Sequence, residues 1–271
     1  MEIVQAKLKA KEILINANYN NCNRIIEQLM FFVLKGKETK ELTSEEYNEF
    51  ISCVKRKVNG EPLERIIGVT EFYDCIFEYS DNVLTPRQET EILVDMIAKE
   101  NFNRLKLLDM CSGSGCIGIS LAKAKNFDVT LCDISDFAIE NSTKNAKLNK
   151  VDVKIVKSNL FENIDATFDI IVSNPPYIKS EVIKNLEKEV LNYDPILALD
   201  GGADGMLFYR EIIKSSPKYL KPNGKIYLEI DNGLEKEIEN LLKENFKNIK
   251  IKKDYSNNFR FAIAEKKEEI C

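Results

Sequence analysis

The chain has 271 residues, of which 44% are hydrophobic and 31% are charged, a composition typical of a soluble globular protein. This length suits one large domain, or one domain with a smaller partner. The chain has no histidine, which excludes Ser-His-Asp and Cys-His catalysis, and its net charge of −5 at pH 7 gives no basic surface, so we expect no direct nucleic-acid binding.

The seven cysteines form no Cys-x-x-Cys pair, so we expect no metal site. Their odd number and apolar surroundings fit free thiols in a reducing cytosol. The N-terminus lacks the features of a secretory signal, and no run approaches the roughly 18 apolar residues of a membrane span. We therefore predict a cytoplasmic protein with no membrane partner.

Apolar residues at helical spacing predict three or four helices in residues 1–67. Thr43, followed by Ser-Glu-Glu46, is typical of a helix start with an N-cap and an acidic first turn. A helical unit of this size either supports the packing of the larger domain or docks a partner. The residues alone leave both alternatives open.

Aromatic and β-branched residues become frequent over residues 68–84, and Ser80-Asp-Asn82 is typical of a turn, so this stretch predicts a β-hairpin linker. Strand and helix patterns then alternate through residues 85–271, which indicates a parallel, doubly wound α/β sheet with helices on both faces. The last two strands have no clear helix between them, so we expect the final one to run antiparallel. The predicted strands are Leu105–Asp109, Val129–Asp133, Val153–Val156, Ile170–Ser173, Lys225–Ile230, Ile249–Lys252 and Phe259–Ala264.

A glycine-rich turn follows the first of these strands, where Gly113 and Gly115 precede a helix. Such a turn lets the backbone approach a ligand, although glycines also simply make tight turns. Asp133 ends the next strand about twenty residues on, where a carboxylate binds ribose hydroxyls or caps a helix. Asp109 at the strand mouth would repel a pyrophosphate and attract an ammonium or sulfonium, so electrostatics favour S-adenosylmethionine over a dinucleotide.

The segment Asn174-Pro-Pro-Tyr177 follows a strand of buried character. Its two prolines fix φ and remove backbone donors, which makes a stiff loop with an amide, an aromatic ring and free carbonyl oxygens. The loop is either a turn that ends a strand or a holder for a planar nitrogen group. Because ligands bind outside the carboxyl ends of parallel strands, we expect this loop and the glycine turn to face one cleft.

These residues resemble class I S-adenosylmethionine-dependent methyltransferases that act on planar nitrogen. Further segments narrow the resemblance to the peptide chain release factor N5-glutamine methyltransferases, the HemK/PrmC family. These segments are Gly60-Glu-Pro-Leu63, Pro86-Arg-Gln-Glu-Thr-Glu91, Asp194-Pro195, Ala198-Leu-Asp-Gly-Gly202, Asp204-Gly205 and Glu229-Ile230. The Pro86–Glu91 segment is the specific one, because Asn-Pro-Pro-Tyr alone also fits adenine-N6 and guanine-N2 methyltransferases.

The resemblance implies a Rossmann-like, seven-stranded methyltransferase domain, an N-terminal substrate-docking domain, S-adenosyl-L-methionine as the cofactor and a class 1 release factor as the partner. The implied cofactor-binding residues are Asp109, Cys111, Ser112, Gly113, Ser114, Gly115, Asp133, Asn159, Leu160 and Asn174. The implied substrate-binding residues are Asn174, Pro175, Pro176 and Tyr177, and the catalytic ones are Asn174, Pro175 and Tyr177. The Asn174 side chain and the Pro175 carbonyl would accept hydrogen bonds from the substrate glutamine amide, and Tyr177 would pack on its plane.

The sequence departs from the family pattern at four positions. Cys111 stands where glycine is usual, Asn159 replaces a common aspartate, Leu160 replaces a common aromatic residue, and Asp231 stands where glycine is usual. Because none of these changes removes a group that the chemistry requires, the leading hypothesis is methylation of the glutamine in the Gly-Gly-Gln loop of release factors. The alternatives are a ribosomal-protein glutamine methyltransferase, an adenine-N6 or guanine-N2 nucleic-acid methyltransferase, and a binding module that retains the fold without activity.

Overall fold

The computed structural model describes residues 1–101 and 104–268. The last three residues of the predicted methyltransferase domain, 269–271, lie outside the described residues. The α-helices of the described residues are α1 Ile3–Asn16, α2 Cys22–Leu34, α3 Ser44–Val58, α4 Leu63–Ile67, α5 Gln88–Glu100, α6 Cys116–Lys125, α7 Asp136–Leu148, α8 Ser180–Ile183, α9 Lys188–Tyr193, α10 Leu207–Ser215 and α11 Glu235–Asn245. The strands are β1 Val69–Phe72, β2 Cys75–Glu78, β3 Lys106–Met110, β4 Asp128–Asp133, β5 Lys154–Lys157, β6 Phe168–Ser173, β7 Leu220–Glu229, β8 Phe246–Lys253 and β9 Phe259–Lys266. None of the helices described is long and apolar enough to cross a membrane.

Seven of the described strands form one sheet in the order β5-β4-β3-β6-β7-β9-β8. The pairs from β5 to β7 are parallel, and β9 runs antiparallel to both β7 and β8. The predicted doubly wound α/β fold and its antiparallel last strand are therefore confirmed. The direction of the strand order reverses between β3 and β6, which is where ligands bind in sheets of this kind.

The middle residues of the central strands are apolar because helices cover both faces of the sheet. On β3, Leu107 packs into the hydrophobic cluster on one face and Leu108 into the cluster on the other. On β6, Ile170 and Ile171 alternate in the same way. The interior of the sheet thus holds the strand ends in fixed positions, from which the loops project.

The described residues form two compact units, Met1–Val69 with Lys188–Tyr193, and Thr70–Glu187 with the chain from Asp194 onward. In the first unit, α3 starts as predicted, because Thr43 Oγ1 accepts the N–H of Glu46 and the Glu46 carboxylate accepts the N–H of Thr43. Lys57 at the other end of α3 is buried and pairs with Glu189 at 3.1 Å. The substrate-docking role of residues 1–67 stays a prediction.

The hairpin of the second unit turns at Tyr73 and Asp74, both left-handed with φ of 44° and 58°. The expected turn at Ser80-Asp-Asn82 is present, with the N–H of Val83 bonded to the Ser80 carbonyl at 3.2 Å, but it follows β2 instead of joining it to β1. The hairpin is attached to α7, because the Asn149 side chain bonds both backbone groups of Ile76. A two-residue turn of left-handed residues matches the twist of paired strands, but neither residue is the glycine or asparagine that signals it.

Candidate active site

Three loops of the second unit start from neighbouring strand ends. Met110 at the end of β3 pairs with Cys132 of β4 on one side and with Ser173 of β6 on the other. The Ser173 hydroxyl donates to the Met110 carbonyl at 2.7 Å, which ties the two strand ends together. The glycine turn and the Asn174-Pro-Pro-Tyr177 loop therefore begin side by side.

The glycine turn bends through left-handed residues, with φ of 59° at Cys111, 54° at Gly113 and 79° at Gly115. Cys111 thus occupies a conformation that favours glycine, at a cost of about 1–3 kcal/mol for a residue with a side chain. Two features favour glycine at position 115. Its backbone is left-handed, and a Cβ there would lie 3.0 Å from Leu131 Cδ1. The turn leads directly into α6, which starts at Cys116.

Asp133 at the end of β4 organises this turn. Its Oδ2 accepts the N–H of Gly113 at 2.8 Å, and its Oδ1 accepts the N–H of Ser135 at 2.9 Å. Desolvation raises the pKa of Asp133 above its usual value, and these backbone hydrogen bonds work against that rise. The N–H of Ile134 also acts on this carboxylate, and of its four lone pairs at least one remains for a donor in the cleft.

Asp109 lies behind the turn and is buried, with 1% of its surface exposed. Its Oδ2 accepts the N–H of Gly118 at 2.9 Å, whereas its Oδ1 has no partner among the described residues. Burial raises the pKa of Asp109 to about 7, the Gly118 bond lowers it, and the charge of Asp133 raises it. Gly118 is required for this approach, because a Cβ there would lie 2.4 Å from Leu131 Cδ2 and 3.1 Å from Asp109 Oδ2.

A cavity of about 580 Å³ lies at these strand ends, a size typical of small-molecule sites. The residues singled out from the sequence that line it are Cys111, Gly113, Asp133, Asn159, Leu160, Asn174 and Pro176. The remaining ones lie outside its lining and are Asp109, Ser112, Ser114, Gly115, Pro175 and Tyr177. Apolar side chains that the sequence analysis did not single out complete the wall, among them Val83, Ile134, Phe137, Ile196, Leu197 and Phe208.

The loop that carries Asn159 and Leu160 is held by its own polar groups. The Ser158 hydroxyl donates to the Leu160 carbonyl at 2.8 Å and accepts the N–H of Asn163 at 2.9 Å. Leu160 is left-handed, with φ of 47°, and the Asn159 amide nitrogen donates to Glu162 at 2.8 Å. These contacts present the loop to the cavity next to the end of β4, because Ser158 N–H also binds the Asp133 carbonyl.

The Asn174-Pro-Pro-Tyr177 loop is backed by a second loop that contains Leu199, Gly201 and Gly205. The N–H of Ile178 binds the Leu199 carbonyl at 2.9 Å, and the N–H of Gly201 binds the Ile178 carbonyl at 2.8 Å. A Cβ on Gly201 would lie 2.6 Å from Tyr177 Cα, and one on Gly205 would lie 2.5 Å from the Tyr177 carbonyl oxygen. The two glycines therefore allow the two backbones to touch.

Two segments that carried the family resemblance meet as an ion pair. Arg87, just before α5, pairs with Asp194, whose side chain is 8% exposed. Asp194 precedes the segment Pro195–Ala198, which lines the cavity. Arg87 therefore anchors one wall of the site.

Thr90 and Glu229 form a buried polar pair beside Asn174, and each is 2% exposed. The Thr90 hydroxyl donates to Glu229 Oε2 at 2.7 Å, and the Asn174 amide nitrogen donates to Thr90 Oγ1 at 3.4 Å. Burial raises the pKa of Glu229 to about 7, and the Thr90 hydroxyl lowers it. The Tyr209 hydroxyl donates to the Glu229 carbonyl at 2.8 Å, which holds this end of β7 in place.

Comparisons with known proteins decide the family. Residues 86–202 match the family model described as methyltransferase small domain. The release factor glutamine methyltransferase of Thermodesulfovibrio yellowstonii is 35% identical over 276 residues, which cover 97% of this chain and 98% of the relative. The chain belongs to the release factor glutamine methyltransferase family. Another relative of that name, from Flavobacterium psychrophilum, is 45% identical over 209 residues, which cover 73% of each chain.

A solved structure supports the fold of the family. The 16S rRNA N2 G1207 methyltransferase of Thermus thermophilus, in complex with AdoMet and guanosine, aligns with a TM-score of 0.57 and 18% identity. The alignment covers 73% of this chain and 50% of that chain. The class I methyltransferase fold is therefore confirmed, and the chain is a methyltransferase by family.

Thr90, Glu229 and Gly201 lie in segments that carry the family resemblance, but the sequence alone indicated no role for these residues. A carboxylate that ends an apolar strand, as Glu229 ends β7, is the signal that could have indicated a buried polar partner. Gly201 and Gly205 carried no such signal, because close approach of two loops depends on tertiary packing. The apolar wall at Ile196 and Leu197 was hidden for the same reason.

Proposed function

We propose that this chain transfers a methyl group from S-adenosyl-L-methionine to the side-chain amide nitrogen, N5, of the glutamine in the Gly-Gly-Gln loop of class 1 release factors. The observation that carries the proposal is the cavity that Asp133 and Asn174 line together, in a chain that belongs to a family named for this reaction. We assign the part of the cavity lined by Asp133 to a nucleoside and the part lined by Asn174 to a planar amide.

The donor set of the cavity fits S-adenosylmethionine, which supplies a methyl group on a positively charged sulfur when bound. Asp109 Oδ1 and the Ser112 hydroxyl are buried without partners among the described residues and lie behind the lining of the cavity, so we assign them to polar groups of the ligand through bridging water. We assign the free lone pairs of the Asp133 carboxylate to the ribose hydroxyls, and the loop at Asn159 and Leu160 to the adenine. Charge-assisted hydrogen bonds of this kind contribute about 1.5–3 kcal/mol each.

The Asn174 loop is assigned to the substrate amide. An amide nitrogen is a weak nucleophile, because its lone pair is delocalised into the carbonyl group. The Asn174 side-chain oxygen and the Pro175 carbonyl would accept its two N–H bonds and stabilise the positive charge that develops on nitrogen. Burial raises the pKa of the Tyr177 phenol, so the ring is neutral, and we assign it to packing against the amide plane. Alignment of the reacting atoms can supply about 7–11 kcal/mol of the barrier reduction.

The proposed substrate also implies a partner protein and a cellular location for this chain. The substrate is a class 1 release factor, which the N-terminal helical domain, residues 1–67, would dock, and no direct nucleic-acid contact is required. Because this substrate works in translation, we assign the protein to the cytoplasm. No general base is needed before methyl transfer, since the surplus proton leaves from the methylated, positively charged nitrogen to water.

The test is to incubate the purified protein with labelled S-adenosylmethionine and a purified class 1 release factor, and to locate the label by mass spectrometry. We expect one methyl group on the glutamine of the Gly-Gly-Gln loop, and none on a release factor whose glutamine there is replaced by alanine. Ribosomes and DNA in parallel reactions test the alternative substrates. Label on ribosomal protein or on DNA, with none on the release factor, would overturn the proposal.

A further inference from the structure

The side-chain amide of Asn174 can work only in one of its two orientations. An amide presents an acceptor on its oxygen and a donor on its nitrogen, and a half-turn about the last side-chain bond exchanges the two. With its nitrogen toward the substrate, Asn174 would face an amide N–H with another donor. The proposed function therefore requires a feature of the fold that selects the orientation of the Asn174 amide.

The chain places a one-directional hydrogen-bond relay behind Asn174. Ser173 of β6 pairs with Leu228 of β7, so the next residues, Asn174 and Glu229, lie side by side at the strand ends. Thr90 lies in the first turn of α5, and its single hydroxyl hydrogen is donated to Glu229 Oε2 at 2.7 Å. Thr90 Oγ1 can then only accept on its other side, so the atom of Asn174 that contacts it at 3.4 Å is the nitrogen.

We propose that Thr90 and Glu229 are positioning residues that hold the Asn174 amide with its nitrogen inward and its oxygen toward the cavity, an inference that rests on the proposed function. The ionised Glu229 carboxylate is an acceptor only, and this fixes the direction of both hydrogen bonds. A hydrogen bond from Asn174 also acts on the Glu229 carboxylate itself and favours its charged form. The relay thus turns the side-chain oxygen of Asn174, which is a hydrogen-bond acceptor, toward the cavity before any substrate binds.

The two hydrogen bonds of the relay keep this direction only while the Glu229 carboxylate is ionised. Protonated Glu229 could donate to Thr90, whose hydrogen could then turn to the Asn174 oxygen and stabilise the wrong orientation. Burial raises the pKa of Glu229 to about 7, so the relay is complete above that pH and is lost below it. The other titratable groups that act on the Glu229 carboxylate are Glu89, Cys116, Tyr177, Tyr209 and Arg260.

Two nearly isosteric variants remove the relay without removing volume. Thr90→Val lacks the hydroxyl, and Glu229→Gln has a side chain that donates as well as accepts. We expect each to lower the single-turnover methylation rate, at saturating cofactor and release factor, by about tenfold to a hundredfold, with the dissociation constant for S-adenosylmethionine changed by less than about threefold. Thr90→Ser restores the hydroxyl and should recover most of the rate.

A matched control separates positioning from packing. Thr130 of β4 is a second buried threonine, 8% exposed, outside the relay, and Thr130→Val should keep the original rate. Thermal unfolding of every variant shows whether a loss of rate follows a loss of stability. The rate of the unsubstituted protein should fall as the pH drops through about 7, whereas the already slow Glu229→Gln rate should lose that dependence.

An NMR measurement tests the relay independently of activity. The side-chain amide protons of Asn174, assigned by comparison with Asn174→Asp, should exchange slowly in the original protein and in Thr90→Ser, and faster in Thr90→Val and Glu229→Gln. Equal exchange in all four, or rates in Thr90→Val and Glu229→Gln that match the original, would overturn the inference. Absence of methylation by the unsubstituted protein would instead overturn the proposed function, and the exchange data would still decide the relay.

Discussion

Gly201 lies against the backbone of Tyr177, so that a Cβ on Gly201 would be 2.6 Å from Tyr177 Cα and 2.9 Å from the Pro176 carbonyl oxygen. Real Cβ atoms do not approach backbone atoms so closely, and neither loop can yield without moving the other. The stiff Asn174-Pro-Pro-Tyr177 loop therefore depends on a residue more than twenty positions later in the chain for its place at the cavity.

Gly201→Ala should displace this loop and lower the methylation rate by about a hundredfold, because misplacing reacting groups by about an ångström has an effect of that size. The affinity for S-adenosylmethionine should change little, since the residues assigned to the cofactor lie mainly on other loops. Single-turnover kinetics and calorimetry measure the two quantities. Ala203→Ser is the control, because Ala203 is exposed on the same loop, and this variant should retain its rate.

Asn174→Ala should lower turnover by about a hundredfold or more while cofactor affinity stays within a few-fold, because the amide oxygen acts mainly on charge that develops during the reaction. Asn240→Ala, an exposed asparagine on α11, is the control for a change of this residue type. Comparable losses of turnover and cofactor affinity in Asn174→Ala would contradict the assignment to the substrate amide.

Asp133→Ala should have the opposite signature and weaken cofactor binding by about a hundredfold, through loss of charge-assisted hydrogen bonds and of the Gly113 N–H bond that shapes the turn. At saturating cofactor, most of the rate should return. Asp136→Ala, at an exposed carboxylate three positions further on, is the matched control and should bind normally. An unchanged dissociation constant in Asp133→Ala would remove the ribose assignment.

Much of the fold could be predicted from local pattern, because a strand buried on both faces and a helix with one apolar face have different periods. The pattern predicted Val129–Asp133 as a strand, and the structure has β4 at Asp128–Asp133. The hairpin turn at Tyr73 and Asp74 was missed, because their left-handed backbone is imposed by the strands that they join and is not signalled by residue type.

The site was predictable only where backbone chemistry marks it. Glycines and prolines restrict the chain visibly, so Gly113 and Asn174-Pro-Pro-Tyr177 stood out. Thr90 and Glu229 are 139 positions apart and meet only in the folded chain, so their hydrogen bond leaves no local trace. Asp109 was assigned to the cofactor from its charge, yet its pKa near neutrality comes from its burial, which depends on tertiary packing.

Asp109 should make the cofactor-free protein less stable as the pH rises. Its pKa is about 7 when folded, above the ordinary value of 3.8, so the folded state holds the proton more tightly. The contribution of Asp109 to stability is then complete below about pH 4, falls as the pH rises to about 7, and stays low above that. Asp109→Asn abolishes this titration and can keep an acceptor for the Gly118 N–H.

The free energy of unfolding of Asp109→Asn, minus that of the original protein, should therefore increase by a few kcal/mol between about pH 5 and about pH 8. Urea denaturation without cofactor at several pH values measures this difference, and other titrating groups such as Glu229 largely cancel in it. The same variant should bind S-adenosylmethionine more weakly, because a neutral amide no longer attracts its positive charges. A difference that is flat with pH would show that Asp109 is ionised in the folded protein throughout this range, and would contradict the raised pKa of this carboxyl group.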